Sequence, residues 1–316
     1  VSITVPIVHS TRVPLALDLP ATFRLHRLGR FDPTATVTPE RFTKRHVDRA
    51  GRVVRHEVRR EGDDVVVTVA VEPAIAHADT GTDAALDDAA VQALRLDVLA
   101  DIGADAMADR TTGHPLVREL HRRQRGMRLL PVPWTFDVVA AVVLQQRVTF
   151  ADAARAFGRI AHRHGVQTAE GPCFPSPAQV RALSVDDLIA LDVDPKRARA
   201  LRAVAAEMER SSLLRPFASG LTSDERAAVL VRDRARLARL PGIGPWTIGM
   251  TMGFARGDVD AVVVGDLHLP HLVTATLGGG RGPATDERML ELLEPFAGER
   301  FRVTRLLWQG GLGKRG

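Results

Sequence analysis

A single cysteine, Cys173, stands in a chain of 316 residues. One thiol excludes, within one chain, a disulfide framework, a four-cysteine zinc site and a cysteine-held iron–sulfur cluster. Tyrosine is absent and aromatic residues make up 4% of the chain. Lysine is scarce as well: Lys44, Lys196 and Lys314 are the only three, so 43 − 3 = 40 of the basic residues are arginine. No apolar run approaches the roughly 18 residues of a membrane-spanning helix. The stretch Val1–Leu19 is broken by His9, Arg12 and prolines and does not read as a signal peptide. These absences argue against a disulfide-stapled secreted scaffold and a helical membrane protein, and point to a reducing cytoplasm.

What is there is ordinary for a globular protein with a buried core: 45% hydrophobic residues, 26% charged and a formal charge of +5. The length suits two or three domains. Arginine forks suit phosphate, which makes DNA a plausible partner, but a GC-rich genome produces the same bias.

The chain changes rhythm near residue 113. Before it, Thr22–Leu28, Val53–Arg59 and Asp64–Val71 are short segments rich in Val, Arg and Thr. Val65 to Val69 is the clearest strand, entered through the turn Glu61-Gly62-Asp63. An antiparallel sheet is expected, then a helix near Asp83–Leu99 and a linker over Asp101–Gly113. From His114 helical signals dominate: Phe136–Gln146, Phe150–His164, a capping box opening at Ser184, and a helix behind Asp194-Pro195 with a stripe of Ala198, Leu201, Ala205 and Met208. The expected fold is α+β, with an N-terminal α+β domain over 1–113 and a mostly helical region over 114–316.

The informative segment is Leu240-Pro241-Gly242-Ile243-Gly244-Pro245-Trp246-Thr247. Pro241 ends an arginine-rich helix near Arg232–Arg239, and the two glycines permit a tight reversal. Pro245 suits the first turn of the next helix, which runs to about Arg256. The tip of this helical hairpin presents bare amides at a helix N-terminus, an anion site to which Gly242, Ile243, Gly244 and Thr247 belong. Ile243 should plug inward. The plain alternative is that Gly-Ile-Gly merely joins two packed helices; proline on both sides and the following Trp-Thr favour phosphate. Gly249 and Gly253 leave a smooth face for another helix or for DNA.

Beyond Gly257 an apolar run, Ala261 to Val264, delivers Asp266 to the start of a further helix. Capping aspartates are common, and alone Asp266 would be read as one. The two roles are compatible, because a capping position surrounds a carboxylate with N–H donors and the positive end of a helix dipole. Such an anion can stabilise an oxocarbenium-like transition state.

The hairpin followed by Val264-Gly265-Asp266 resembles the helix-hairpin-helix DNA glycosylase superfamily, named for its hairpin, Gly/Pro-rich loop and aspartate. Within it the chain is most similar to the bacterial 3-methyladenine DNA glycosylase II family. Trp134-Thr135-Phe136 through Leu144-Gln145-Gln146-Arg147-Val148, Phe174-Pro175-Ser176-Pro177 and the Lys196-Arg197-Ala198 helix extend the likeness, which covers roughly 134–277 well and the sheet more loosely. The resemblance implies a mixed N-terminal domain followed by two helical parts flanking a cleft. It also implies removal of damaged bases, alkylated purines above all, from double-stranded DNA by a monomeric enzyme at the nucleoid.

Superfamily members that also cut the strand carry a lysine two residues after the second hairpin glycine, where this chain has Trp246. None of the three lysines lies near the hairpin or Asp266 in sequence, which argues for water as nucleophile and Asp266 as the catalytic residue. A bifunctional glycosylase/lyase and a non-catalytic DNA-binding protein are the rivals. Trp246, Met250 and Trp134 are the candidate base pocket, with Phe254 and Trp308 as unplaced aromatics. In the family a tyrosine stands where this chain has Met250, which weakens a pocket built on π stacking. Leu144, Gln145, Gln146 and Arg147 are candidates for the corner that enters the minor groove. Asp266, His268 and His271 invite a metal reading that Pro270 and the lack of a further ligand disfavour. No metal, cofactor or iron–sulfur cluster is expected, with room for a monovalent cation at the hairpin.

Overall fold

A computed structural model describes residues 8–13, 17–72, 114–218 and 220–310. The helix expected near Asp83–Leu99 and the linker over Asp101–Gly113 lie outside the described residues.

Five strands form one antiparallel sheet: β1 (Val8–Val13), β2 (Ala35–Val37), β3 (Arg41–Val47), β4 (Val53–Glu61) and β5 (Asp64–Glu72), in the spatial order β1-β5-β4-β3-β2. The β4–β5 hairpin closes through Gly62-Asp63, with Glu61 opposite Asp64 and Gly62 at φ 67. A positive φ at the first loop residue matches the twist of a two-residue hairpin, and glycine adopts it without strain. Alternation then puts Val54, Val58, Val65, Val67 and Val69 inside.

The expected strand at Thr22–Leu28 is a correction. Helix α1 (Leu19–Phe23) and a 3-10 turn over Arg24–His26 occupy it instead. Asp18 accepts the Ala21 amide and Pro20 sits in the first turn, a local start signal that outweighs the residues' β preference. Phe23 then stacks on Phe42 of β3, ring centroids 4.0 Å apart.

The helices follow their caps. These are α2 (Pro115–Arg123), α3 (Thr135–Leu144), α4 (Phe150–His164), α5 (Pro177–Ala182), α6 (Val185–Ile189) and α7 (Pro195–Arg210). They continue with α8 (Ser223–Leu237), α9 (Pro245–Arg256), α10 (Leu269–Thr276), α11 (Asp286–Leu293) and α12 (Arg300–Gln309). Ser176, Ser184 and Thr222 form reciprocal capping boxes, and Asp194 accepts two amides of α7. The stripe Ala198, Leu201, Ala205 and Met208 is buried.

Sheet and helices share one continuous core. Arg305 and Gln309 of α12 donate to the Ala21 carbonyl, and Pro131 bridges to Arg256. The glycines of α9 serve this packing, not DNA. A Cβ at Gly249 would lie 2.1 Å from the Val262 carbonyl oxygen, and one at Gly253 would lie 2.1 Å from the Phe301 ring. No described helix is long and apolar enough to cross a membrane.

Burial also sets an acid limit. His46 and His56 face each other in the core, Nε2 to Nε2 at 3.2 Å. Burial, and then the Lys44 cation, lowers His46 to about 3; burial, His46 and Lys44 push His56 well below its usual value. Depressed folded values mean stability that is full above ~6.5 and lost as pH falls, because the unfolded imidazoles take protons the folded ones refuse. At pH 5 a folded value of about 3 removes about 2 kcal/mol for His46, and His26, likewise lowered to about 3 by burial, removes a like amount; His56 acts in the same direction. Asp137 acts in the opposite sense: burial raises it to about 6, offsetting about 1 kcal/mol. The expected result is a loss of at least about 3 kcal/mol between pH 7 and 5, seen as a melting temperature lower by on the order of 10 °C. A flat calorimetric melting temperature across that interval contradicts it.

Candidate active site

The turn between α8 and α9 is tight. Gly242 takes φ 79, so a side chain there would be strained, and an added Cβ would also stand 2.9 Å from Ala200. Gly244 differs from expectation: its backbone is extended, φ −96, and it caps α9. Its glycine matters for access, since a Cβ there would meet nothing within 4 Å. The first-turn amides of α9 have no intrahelical acceptor, and they point from an open surface. Ile243 is buried as expected, and its amide is already given to the Leu240 carbonyl. Thr247 is buried too, so its side chain is no direct phosphate ligand; its hydroxyl accepts from Gln146. Of the neighbouring arginines, Arg234 and Arg236 are tied to Asp258 and Ser212, whereas Arg232 and Arg239 are exposed.

Asp266 is half-buried and held from three sides. Its Oδ2 accepts the Trp246 indole N–H at 2.7 Å, and its Oδ1 accepts the amides of His268 and Leu269, each at 2.8 Å. The formal N-cap of α10 is His268, so Asp266 caps the helix from two residues upstream. Trp246 thus grips the carboxylate by its indole edge. The turn that delivers Asp266 depends on Gly265 at φ 84, whose amide donates to Asp286 Oδ2 at 2.9 Å. Asp286, at the start of α11, was not anticipated from the sequence. Exposed Leu267 follows the carboxylate. His268 and His271 are exposed, and among the described residues no three His, Cys, Asp or Glu side chains cluster.

The segment Leu144 to Arg147 divides sharply. Leu144 is fully buried with its carbonyl accepting from Arg197, which removes it from any DNA-facing surface. Gln145 is half-buried and bonds back to Ala141. Gln146 Nε2 donates to the Gly242 carbonyl and to Thr247 Oγ1, both at 2.9 Å. It therefore fastens this corner to the hairpin. Arg147 alone projects: it is exposed and held at φ 55, a left-handed conformation that an arginine adopts at a cost.

A cavity of about 60 Å³ lies beside these elements. Its lining includes Gln145, Met250, Phe254, His26, Lys44 and Asp137. Trp134 is a wall of it, not a free stacking face: it is 1% exposed and donates to His26 Nδ1 at 3.4 Å. On α9, Trp246, Met250 and Phe254 stand at successive i, i+4 positions, so one helix face runs from the Asp266 carboxylate into the cavity. Sequence reasoning missed Lys44 and Asp137. The signals were present: one of only three lysines in a strand, and a lone acid in an otherwise apolar helix.

No family model matches the chain. It is 30% identical over 184 residues to a probable bifunctional transcriptional activator/DNA repair enzyme AlkA of Mycobacterium tuberculosis, covering 54% of this chain and 34% of that protein. It is 25% identical over 204 residues to the DNA-3-methyladenine glycosylase of Bacillus subtilis, covering 62% of this chain and 63% of that one. The chain therefore spans less than two thirds of the length of these relatives. Among solved structures, the 3-methyladenine DNA-glycosylase from Archaeoglobus fulgidus matches with a TM-score of 0.71 at 18% identity, over 96% of this chain and 99% of that one.

Proposed function

Because this chain has the helix-hairpin-helix DNA glycosylase fold, we propose that it is a monofunctional DNA glycosylase that hydrolyses the N-glycosidic bond of damaged, alkylated purines in duplex DNA. The observation that carries this is the Asp266 carboxylate, held by three N–H donors at the head of the α9 face that leads to the cavity, and beside the hairpin with its open set of amides. Those amides, with exposed Arg239, grip a phosphate. Arg147 enters the duplex where the target nucleotide leaves it. Gln146 keeps the distance between grip and wedge constant, so a bound phosphate sets which nucleotide faces Asp266.

As the glycosidic bond breaks, positive charge develops on the deoxyribose. A carboxylate about 4 Å away at an effective dielectric of about 20 contributes roughly 4 kcal/mol to that state. Water, oriented by the same carboxylate, attacks the sugar and leaves an abasic site. Lys44, which lines the cavity, has its amine engaged by Asp137 and Thr34 and is a poor nucleophile for the sugar. The test is incubation with methylated duplex DNA, followed by chromatography of released bases and borohydride trapping. Free base with no trapped adduct is expected. A trapped adduct that disappears in Lys44→Met replaces this reading with a glycosylase/lyase, and DNA binding with no base release replaces it with a binding protein.

A further inference from the structure

We infer that the closed end of the cavity is a base-reading site, in which Lys44 and Asp137 select purines carrying a carbonyl beside a ring N–H. This rests on the glycosylase reading above. The cavity has an open mouth and a charged floor. At the mouth stand Phe150, 50% exposed, and Leu25, 42% exposed; at the floor Lys44 is 1% exposed and Asp137 5%. Gln145 ties the mouth to the corner that carries Arg147, and Met250 ties it to the helix face that carries Trp246 and its hydrogen bond to Asp266. A base swung out at Asp266 and drawn along the Trp246–Met250–Phe254 face reaches this opening.

The floor has a defined polarity. Lys44 Nζ lies 2.7 Å from Asp137 Oδ2 and 2.5 Å from Thr34 Oγ1. Thr34 gives its hydroxyl proton to Asp32 Oδ1 at 2.6 Å, so only its lone pairs are left for Lys44. Asp32 is fixed in turn by the amides of Thr34 and Leu28. An ammonium has three N–H donors, and two are directed at these partners. The third is left for a bound base, since Lys44 and Asp137 both stand in the cavity wall, where the Phe157 ring centroid lies 5.8 Å from Nζ. Donor and acceptor thus lie side by side at a wall that both help to form. The pair is almost wholly buried, yet both of its residues stand in the cavity wall.

Such a pair is complementary to an amide-like edge, O=C–N–H. Hypoxanthine and 7-methylguanine present it at O6 and N1–H: the carbonyl accepts from Lys44 while the ring N–H donates to Asp137. 3-Methyladenine and ethenoadenine have no carbonyl, so they leave the buried ammonium facing no acceptor, a penalty that can exceed tenfold. The volume fits this role, since it holds roughly four water-sized positions, enough for the edge of a base with its rings at the mouth.

The experiment uses methylated genomic DNA, which offers 7-methylguanine and 3-methyladenine together, and duplexes bearing hypoxanthine or ethenoadenine. Wild type is compared with Lys44→Met/Asp137→Leu, which replaces the ion pair by apolar groups, and with Asp137→Asn, which keeps its shape. The wild type should favour 7-methylguanine and hypoxanthine. The hypoxanthine-to-ethenoadenine ratio of single-turnover rates should fall about 30-fold in the double variant and about fivefold in Asp137→Asn. A wild type that prefers the two adenine lesions, or ratios that stay constant across all three proteins, overturns the inference and leaves the glycosylase reading intact. No release of any base by the wild type removes both.

Discussion

Replacing Asp266 by asparagine is expected to lower base release by about three decades while leaving the affinity for abasic-site DNA within about threefold. The geometry explains the split. Asparagine can keep one oxygen toward the His268 and Leu269 amides, so the start of α10 keeps its cap. Its amide nitrogen, however, is a donor facing the Trp246 indole N–H, itself only a donor. The variant therefore loses the negative charge and turns an attractive contact into a clash of donors. The hairpin amides and Arg147, which hold the DNA in this reading, are untouched. Single-turnover release and fluorescence anisotropy on the same duplex separate the two effects. Equal rates for wild type and variant would falsify the catalytic assignment and return Asp266 to a capping role.

The second large effect is on stability. Arg256 at the end of α9 and Asp233 in α8 form a buried ion pair, with Arg256 Nε donating to Asp233 Oδ2 at 2.8 Å. Arg256 also lies over the Phe217 ring and donates to the Arg215 carbonyl. The pair ties the last residue of α9 to the C-terminal half of α8. Asp233→Ala strands a guanidinium in the core and should cost about 3–5 kcal/mol, read as a lower urea midpoint with an unchanged slope. Asp233→Leu combined with Arg256→Met should regain most of that loss, because a packed apolar pair carries no desolvation penalty. A single variant that loses less than about 1 kcal/mol would show that water reaches the pair.

Legibility along the chain followed distance. Phe150–His164 and Pro245–Arg256 were bounded correctly because their start signals, a capping Thr149 and the Gly244-Pro245 step, lie within one turn of the helix they open. The β4–β5 hairpin was equally visible from its Gly-Asp turn. Strands β1 and β3 were not, since β3 carries Lys44, Arg45 and His46 on faces that only its neighbours bury. Thr22–Leu28 was misjudged because its cap, Asp18, precedes a segment whose composition suits a strand. Leu144 was offered to DNA from its place at a helix end, yet Arg197 and the core enclose it.

The order of residues alone determined the hairpin turn, the helix beyond it and the delivery of Asp266 to a helix start. Each of these depends on φ preferences, caps and proline placement acting over a few neighbours. Tertiary structure decided which side chains meet. It set Trp246 on Asp266, Gln146 on Gly242, and Lys44 beside Asp137, because sheet register and helix packing, not local propensity, bring distant residues within hydrogen-bonding range.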